Sequence, residues 1–158
     1  MLNTELRDVF EFFHLKAKRF CALIEESPHL SREELLAKLE VELADLYETA
    51  LRMPDADPET DTEAEPELKP IYSALEEKLG DANSYWVVFD PRQNEEPVRG
   101  SLTEDVHEIY RELSTVLTMA DKGASVSELV WHARLMFNAH WGLHAVGALR
   151  ALYFLLHG

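Results

Sequence analysis

Apolar side chains recur at alternating spacings of four and three residues along most of the chain, a pattern typical of helices that bury one face. The first stripe predicts a helix that ends near Glu26, ahead of Pro28. Its apolar members are Leu6, Phe10, Phe13, Ala17, Phe20 and Ile24. Three further helices are predicted to begin at serines that are followed three residues later by glutamate, the pattern of a capping box. These pairs are Ser31 with Glu34, Ser101 with Glu104, and Ser125 with Glu128.

The ends of the predicted helices are marked by residues that interrupt helical structure. The second helix is expected to end near Met53, and the fourth just before Gly123. A short third helix is predicted between Pro70, in its first turn, and Gly80, past its end. The last helix is predicted to run to about His157. The sequence therefore predicts five helices.

The predicted last helix is apolar on nearly all sides, which is typical of a helix at the centre of a bundle or at a subunit interface. Its length is about 45 Å at 1.5 Å per residue. A row of small residues at spacings of three allows a neighbouring helix to approach closely. Gly142 and Gly147 each cost about 1 kcal/mol in a helix interior, so close packing is expected to compensate for them. The row consists of Ala139, Gly142, Ala145, Ala148 and Ala151.

Two segments lack the helical pattern. In residues 54–67, every second residue from Asp55 onwards is acidic, no basic residue offsets these seven charges, and prolines interrupt the run. This segment is predicted to be an extended, mobile loop because its charges repel one another. Residues 85–89, Tyr-Trp-Val-Val-Phe, have the composition of a strand. Since no second clear strand is present, we expect them to pack on the helices in an extended form, and a short hairpin with Val98–Arg99 is the alternative.

The expected fold is therefore all-α. It is a single, bundle-like domain of five helices over residues 1–158, with the long C-terminal helix at its centre and an extended aromatic segment near residues 85–89. A chain of 158 residues is long enough to bury a core of its own. The acidic loop does not divide two domains, since neither side of it holds enough helix for a separate core.

Net charge restricts the expected partners. The chain has 30 acidic and 15 basic residues, which give a charge of −15. This charge argues against nucleic acid, because affinity for phosphates comes mostly from lysine and arginine, and against anionic membrane surfaces, which attract basic clusters. No apolar run is long enough to span a bilayer, and residues 1–5 do not resemble the start of a signal peptide. The single cysteine, Cys21, allows no internal disulfide and suits a reducing compartment, so we expect a cytoplasmic protein.

Histidines of the last helix form the main constellation with candidate chemistry. His140 and His144 have the spacing that presents two imidazoles to one metal ion from the same helix face. A third ligand has to come from another element, such as His107, Glu108 or Glu104. The pair lacks the adjacent glutamate of the H-E-x-x-H motif, so metalloprotease chemistry is not indicated. The alternatives are that these imidazoles hydrogen-bond to backbone groups or carboxylates in a crowded core, or that they transfer protons. No cofactor is required by the sequence, and a divalent metal ion is the candidate.

Other polar and aromatic residues are candidates for a pocket or an interaction surface. Arg134, Asn138 and Arg150 lie on the same mostly apolar helix and need polar partners, which acidic residues of the facing helices can provide. Such contacts either stabilise the core or line a pocket. The remaining candidates are His132 and Trp141 in the same helix and Trp86 in the aromatic segment.

Two stretches of the chain carry a family resemblance. The first combines Tyr85–Pro91 with Glu96–Val98, Gly100–Leu102 and Ile109–Arg111. The second is His140–His144 running into Ala148–Leu152. Together they resemble a bacterial domain-of-unknown-function family, DUF5063, in detail over the C-terminal half and elsewhere as a helical pattern. The resemblance implies a helical fold and a bacterial source, implies no particular reaction, and marks both stretches as family features.

Three functions are consistent with these observations. No complete catalytic constellation is present and no catalytic residue is assigned, so the leading hypothesis is a non-enzymatic interaction or regulatory protein, either a homodimer through the last helix or a binder of another protein. The second hypothesis is a helical-bundle metal-binding protein that uses His140 and His144, with enzymatic activity conceivable. The third is an acidic decoy or immunity-type protein that binds a basic partner through residues 55–67.

Overall fold

Most residues lie in helices, as the spacing of apolar residues predicts. The computed structural model describes residues 3–158. A π-helical turn, Phe137–Trp141, joins the last two helices, and counting that path as one helix gives the five predicted helices. The elements in chain order are α1 (Asn3–Glu26), α2 (Arg32–Leu51), α3 (Tyr72–Leu79), β1 (Ser84–Val87), β2 (Val98–Ser101), α4 (Leu102–Asp121), α5 (Val126–Met136) and α6 (Gly142–His157).

The serine caps predicted for three helices are confirmed. The hydroxyl oxygens of Ser31, Ser101 and Ser125 accept hydrogen bonds from the backbone N–H groups three residues later, at 3.1, 3.2 and 3.2 Å. Each bond satisfies a donor that the first turn of a helix otherwise leaves unpaired. Helix α3 begins at Tyr72, so Pro70 precedes the helix and does not lie in its first turn as predicted.

Helix α1 supplies a large part of the apolar core. The stripe predicted for it is buried, and Phe13, Ala17 and Ile24 have no exposed surface. Helix α1 packs against α2, α4 and α5, while α6 packs against α4 and α2. Ala145 and Ala148 of the small-residue row are fully buried in α6. The side chains buried by these helices form one apolar cluster.

The segment from residue 84 to residue 101 departs from an all-helical fold. Strands β1 and β2 pair antiparallel, with Tyr85 opposite Gly100. The predicted all-α class is therefore corrected to a mostly helical fold with a two-stranded sheet, and the hairpin that was the alternative is the structure that forms. Packing on the helices is wrong for Trp86 and Phe89, which are 71% and 65% exposed. The neighbouring residue Tyr85 does pack against the core, and its hydroxyl donates a hydrogen bond to Asp105 of α4.

The C-terminal helix differs from its prediction in two respects. It is not uniformly α-helical, because the π turn interrupts it after Met136. It is also not enclosed, because Leu143, Val146 and Tyr153 form an apolar strip of α6 whose members are between 47% and 54% exposed. The remaining helices do not hide this strip, and cover by a second subunit stays a prediction. No helix within residues 3–158 has the length and apolar character needed to cross a membrane.

The acidic segment between α2 and α3 runs along the helices in an extended form. All seven of its acidic residues are exposed, while the residues between them are partly buried from Thr62 onwards. The buried Glu128 carboxylate holds the segment by accepting hydrogen bonds from the Thr60 hydroxyl and, at 2.6 Å, from the Thr62 N–H. The Lys122 ammonium group donates to the carbonyl oxygen of Glu63 at 3.1 Å. The mobility of this segment and its binding of a basic partner stay predictions.

Candidate functional site

Ionisable side chains of α4 face those of the turn before α6. Asp105, Glu108 and Glu112 follow one another at spacings of three and four, which places them on one face of α4. His140 and His144 lie about one turn apart on the opposing segment. Asp105 and Glu112 are only 6% and 9% exposed. Because burying a charge is costly without partners, the contacts of these groups decide what the site can do.

His140 lies between two carboxylates of α4. Its Nδ1 is 3.3 Å from Glu112 Oε1, and its Nε2 is 3.7 Å from Glu108 Oε2. One ligand atom from each of the three residues lies within 4.8 Å of the others, close enough for all three to bind a single ion. In the part of the chain that the structure describes, no other group of histidine, cysteine or acidic side chains meets this condition. Imidazole and carboxylate donors suit first-row divalent metals.

The π-helical turn gives His140 its position. Such turns are rare and occur frequently at functional sites. The Trp141 ring of this turn is buried, with its centre 4.8 Å from that of Phe137 and 6.4 Å from that of Phe13. A Cβ on Gly142 would lie 2.6 Å from the Phe137 carbonyl oxygen, so the residue after the turn has to be glycine. With Trp141 fixed in the core, the preceding His140 is directed toward α4.

Arg111 is the basic residue that contacts both glutamates. Its Nη2 is 2.5 Å from Glu108 Oε2 and 3.4 Å from Glu112 Oε1. Although burial opposes ionisation, the hydrogen bond from Arg111 holds the pKa of Glu108 below its ordinary value. Glu108 is therefore ionised at neutral pH, the state in which a carboxylate binds a cation.

Asp105 joins three elements of the structure. One carboxylate oxygen accepts a hydrogen bond from the Tyr85 hydroxyl of β1 at 2.5 Å, and the other lies 2.8 Å from Nδ1 of His144 in α6. When Nδ1 donates to Asp105, Nε2 is the atom that can exchange a proton. The hydrogen bond to Asp105 raises the pKa of His144. Burial and the same carboxylate raise the pKa of Tyr85, so the phenol stays protonated.

Two glycines make room for Tyr85. A Cβ on Gly100, its partner across the hairpin, would lie 2.5 Å from the ring, and a Cβ on Gly147 would lie 2.7 Å from the hydroxyl. The close packing expected at Gly147 is thus confirmed. Tyr85, Asp105 and Glu112 were not among the predicted site residues. The available signals were a glycine inside an apolar helix, which marks a close approach, and acidic residues three or four apart, which share a helical face.

The three histidines predicted as metal ligands do not come together. His107 lies elsewhere on α4, where its ring contacts those of Tyr72 and Tyr110 at 5.2 and 6.3 Å between centres. The ring of His144 lies 5.0 Å from that of His140, but its Nδ1 is directed to Asp105 as described above. Only His140 belongs to the group that can hold an ion, together with Glu108, one of the alternative third ligands.

The candidates for a pocket or an interaction surface are dispersed. Trp86 and Arg150 line one cleft together. Arg134 pairs with Asp55 of the acidic segment at 3.3 Å, so its partner is not on a facing helix as predicted. The others lie apart: Asn138 is exposed, Trp141 is in the core, and His132 is half-buried, with a buried Nε2 that has no hydrogen-bond partner among residues 3–158.

A comparison with family models identifies the family of the chain. The model described as a domain of unknown function (DUF5063) matches residues 4–158. The chain belongs to the DUF5063 family. The resemblance carried by the C-terminal half is thereby confirmed over essentially the whole length of this DUF5063 chain.

A solved structure has a similar fold. The crystal structure of protein BF1032 from Bacteroides fragilis matches this DUF5063 chain with a TM-score of 0.79 and 20% sequence identity, over 95% of this chain and 93% of that one. At this identity the likeness concerns the fold alone. No curated protein matches the sequence.

In this DUF5063 protein, the substitution Asp105→Asn is expected to lower the pKa of His144, because it removes the charge that favours the imidazolium while keeping the shape of the side chain. NMR titration of the histidine ring protons in metal-free protein measures this change, with the exposed His29 as internal control. An identical His144 titration in both proteins contradicts the assigned hydrogen bond.

The same pair makes stability depend on pH. The pKa of His144 is higher in the folded than in the unfolded chain, so the pair contributes its full stabilisation below the unfolded value of about 6.5. This contribution is lost as the pH rises through the folded-state pKa. Asp105→Asn should remove that part of the pH dependence.

Proposed function

We propose that the protein binds a divalent metal ion through Glu108, Glu112 and His140. The observation that carries the proposal is the approach of one ligand atom from each residue to within 4.8 Å. Two carboxylates and one imidazole are donors that first-row divalent ions bind readily. The location of His140 in a π-helical turn supports the proposal, because such turns recur at functional sites.

The charge balance of the site also favours a cation. Glu112 is almost fully buried, and a buried carboxylate is costly unless an opposite charge or several hydrogen bonds compensate for it. Arg111 supplies that charge from the rim of the site, where its side chain is 45% exposed. Its guanidinium can therefore turn into solvent when an ion takes its place between the two glutamates.

His144 has a second role in this proposal. Its ring stands beside that of His140, with 5.0 Å between the centres. Asp105 holds Nδ1, which leaves Nε2 as the ring atom that can exchange a proton near the ion. Carboxylates orient metal-binding histidines in this way in many metal sites.

Protein purified without an affinity tag and treated with a chelator is expected to bind about one equivalent of zinc or manganese per chain. Isothermal titration calorimetry measures the stoichiometry and affinity. His140→Ala and Glu112→Gln should each weaken binding by at least about tenfold, because each removes a ligand. His157→Ala, which changes a half-exposed histidine at the far end of α6, is the matched control and should bind normally. Binding far below one equivalent, or undiminished binding by His140→Ala, contradicts the proposal.

A second proposal, self-association through α6, rests on the exposed apolar strip of that helix. Contiguous apolar exposure of this kind marks interaction surfaces. The charges favour a second copy as the occupant, because Arg150 is the only charged residue of α6 in a chain whose net charge is −15. Two copies can therefore meet along α6 without bringing their acidic surfaces together.

Size-exclusion chromatography with light scattering tests this second proposal. The unchanged protein should have twice the mass of one chain, and Leu143→Glu should yield monomers, because a symmetric interface brings two like charges together in an apolar contact. Leu51→Glu, which changes a leucine of α2 that is 63% exposed, is the control and should remain dimeric. A monomer at every concentration overturns the proposal.

A further inference from the structure

A cleft beside the hairpin combines aromatic side chains with an arginine. It has a volume of about 340 Å³ and lies between β1 and the C-terminal half of α6. Its walls include Trp86, Phe154 and Leu155, while Arg150 and Ser84 supply polar groups. Ligand sites in proteins typically have this composition, a mostly apolar and aromatic lining with a few polar groups that fix orientation.

Arg150 has no carboxylate partner within residues 3–158, although the chain has 30 acidic residues. Six other arginines form such pairs. The guanidinium carbon of Arg150 instead lies 5.5 Å from the centre of the Phe154 ring. Stacking on an aromatic face holds a guanidinium in place and leaves its N–H donors available to a planar anion.

We propose that this cleft binds a planar aromatic ligand that carries a carboxylate. The carboxylate accepts the paired hydrogen bonds that a guanidinium donates, and the ring of the ligand packs against Trp86 and Phe154. The ligand is an anion because Arg150 is the only charged residue that lines the cleft. Trp86, which is 71% exposed, loses its contact with water when the ligand binds.

The cleft adjoins the carboxylate–histidine cluster through Tyr85. This residue lines the cleft, and its hydroxyl donates to Asp105. Arg150 follows His144 by six residues in α6, which corresponds to about 9 Å along the helix axis. None of the three proposed metal ligands lines the cleft, so this inference does not rest on the metal proposal.

The test uses 1-naphthoate as the probe and the neutral 1-naphthamide as its matched control. Metal-free protein in the presence of a chelator is titrated with each compound, and NMR shifts of the Trp86 indole N–H and of the α6 amides report binding. We expect naphthoate to bind with a dissociation constant on the order of 1 mM, as is typical for a ligand of this size. Naphthamide should bind about tenfold more weakly, because it cannot form the charged pair.

Two variants identify the group that binds the anion. Arg150→Gln should weaken naphthoate binding by about tenfold, and Arg7→Gln, which changes an exposed arginine of α1, should leave it unchanged. Equal affinity for naphthoate and naphthamide overturns the proposal, as does naphthoate binding that shifts no signal of Trp86 or α6. The comparison of the two compounds uses the unchanged protein, so it holds even if Arg150→Gln fails to fold. Because the titrations contain no metal, a result that contradicts this proposal leaves the metal proposal unaffected.

Discussion

The relative positions of the hairpin, α4 and α6 depend on the contacts of one buried group, the carboxylate of Asp105. It is 6% exposed, and a charge so buried needs partners, which the Tyr85 hydroxyl and Nδ1 of His144 provide. A hairpin of two four-residue strands is at best marginally stable by itself, so its place depends on what it contacts. Gly100 and Gly147 leave the space that the Tyr85 ring and hydroxyl fill. The hydrogen bond from Tyr85 and the space left by the two glycines thus hold β1 against the helices, together with the hydrogen bonds that Thr103 of α4 donates to Asn83 just before the strand.

The irregular features of the fold gather around this contact. Helix α4 continues from Asp105 to two further acidic residues, and the π turn directs His140 between them. Elsewhere the helices follow ordinary apolar stripes. Proteins most often depart from local structural rules at functional sites, so the coincidence of buried carboxylates, an interrupted helix and an interior glycine points to this region. The acidic segment has more charge, but all of its acidic side chains are exposed and need no compensating ion.

The features that the sequence predicts well are those set by local interactions. Ser31, Ser101 and Ser125 cap helices because each hydroxyl reaches an N–H three residues away, and the stripe of α1 is buried as its spacing requires. The sequence favours packing of residues 85–89 on the helices over the hairpin, because strand pairing joins distant residues and β2 contains Gly100 in place of a strand-forming side chain. The π turn depends on the packing of Trp141 against Phe137 and on the absence of a side chain at Gly142. The spacing of apolar residues along the sequence does not reveal either feature. Similarly, the apolar residues on nearly all sides of α6 indicate that this helix packs against neighbours. They do not indicate whether those neighbours belong to the same chain or to a second subunit.

The most direct test of this account is the effect of Gly147→Ala on the free energy of unfolding, measured by chemical denaturation in the unchanged protein and in the Tyr85→Phe protein. Alanine is favoured over glycine by about 1 kcal/mol in a helix interior, so in the absence of the Tyr85 hydroxyl the substitution should stabilise the protein by up to about that amount. With the hydroxyl present, the new Cβ would lie 2.7 Å from it, and the same substitution should destabilise the protein. An equal change in the free energy of unfolding in both proteins would contradict the placement of the Tyr85 hydroxyl between Asp105 and Gly147.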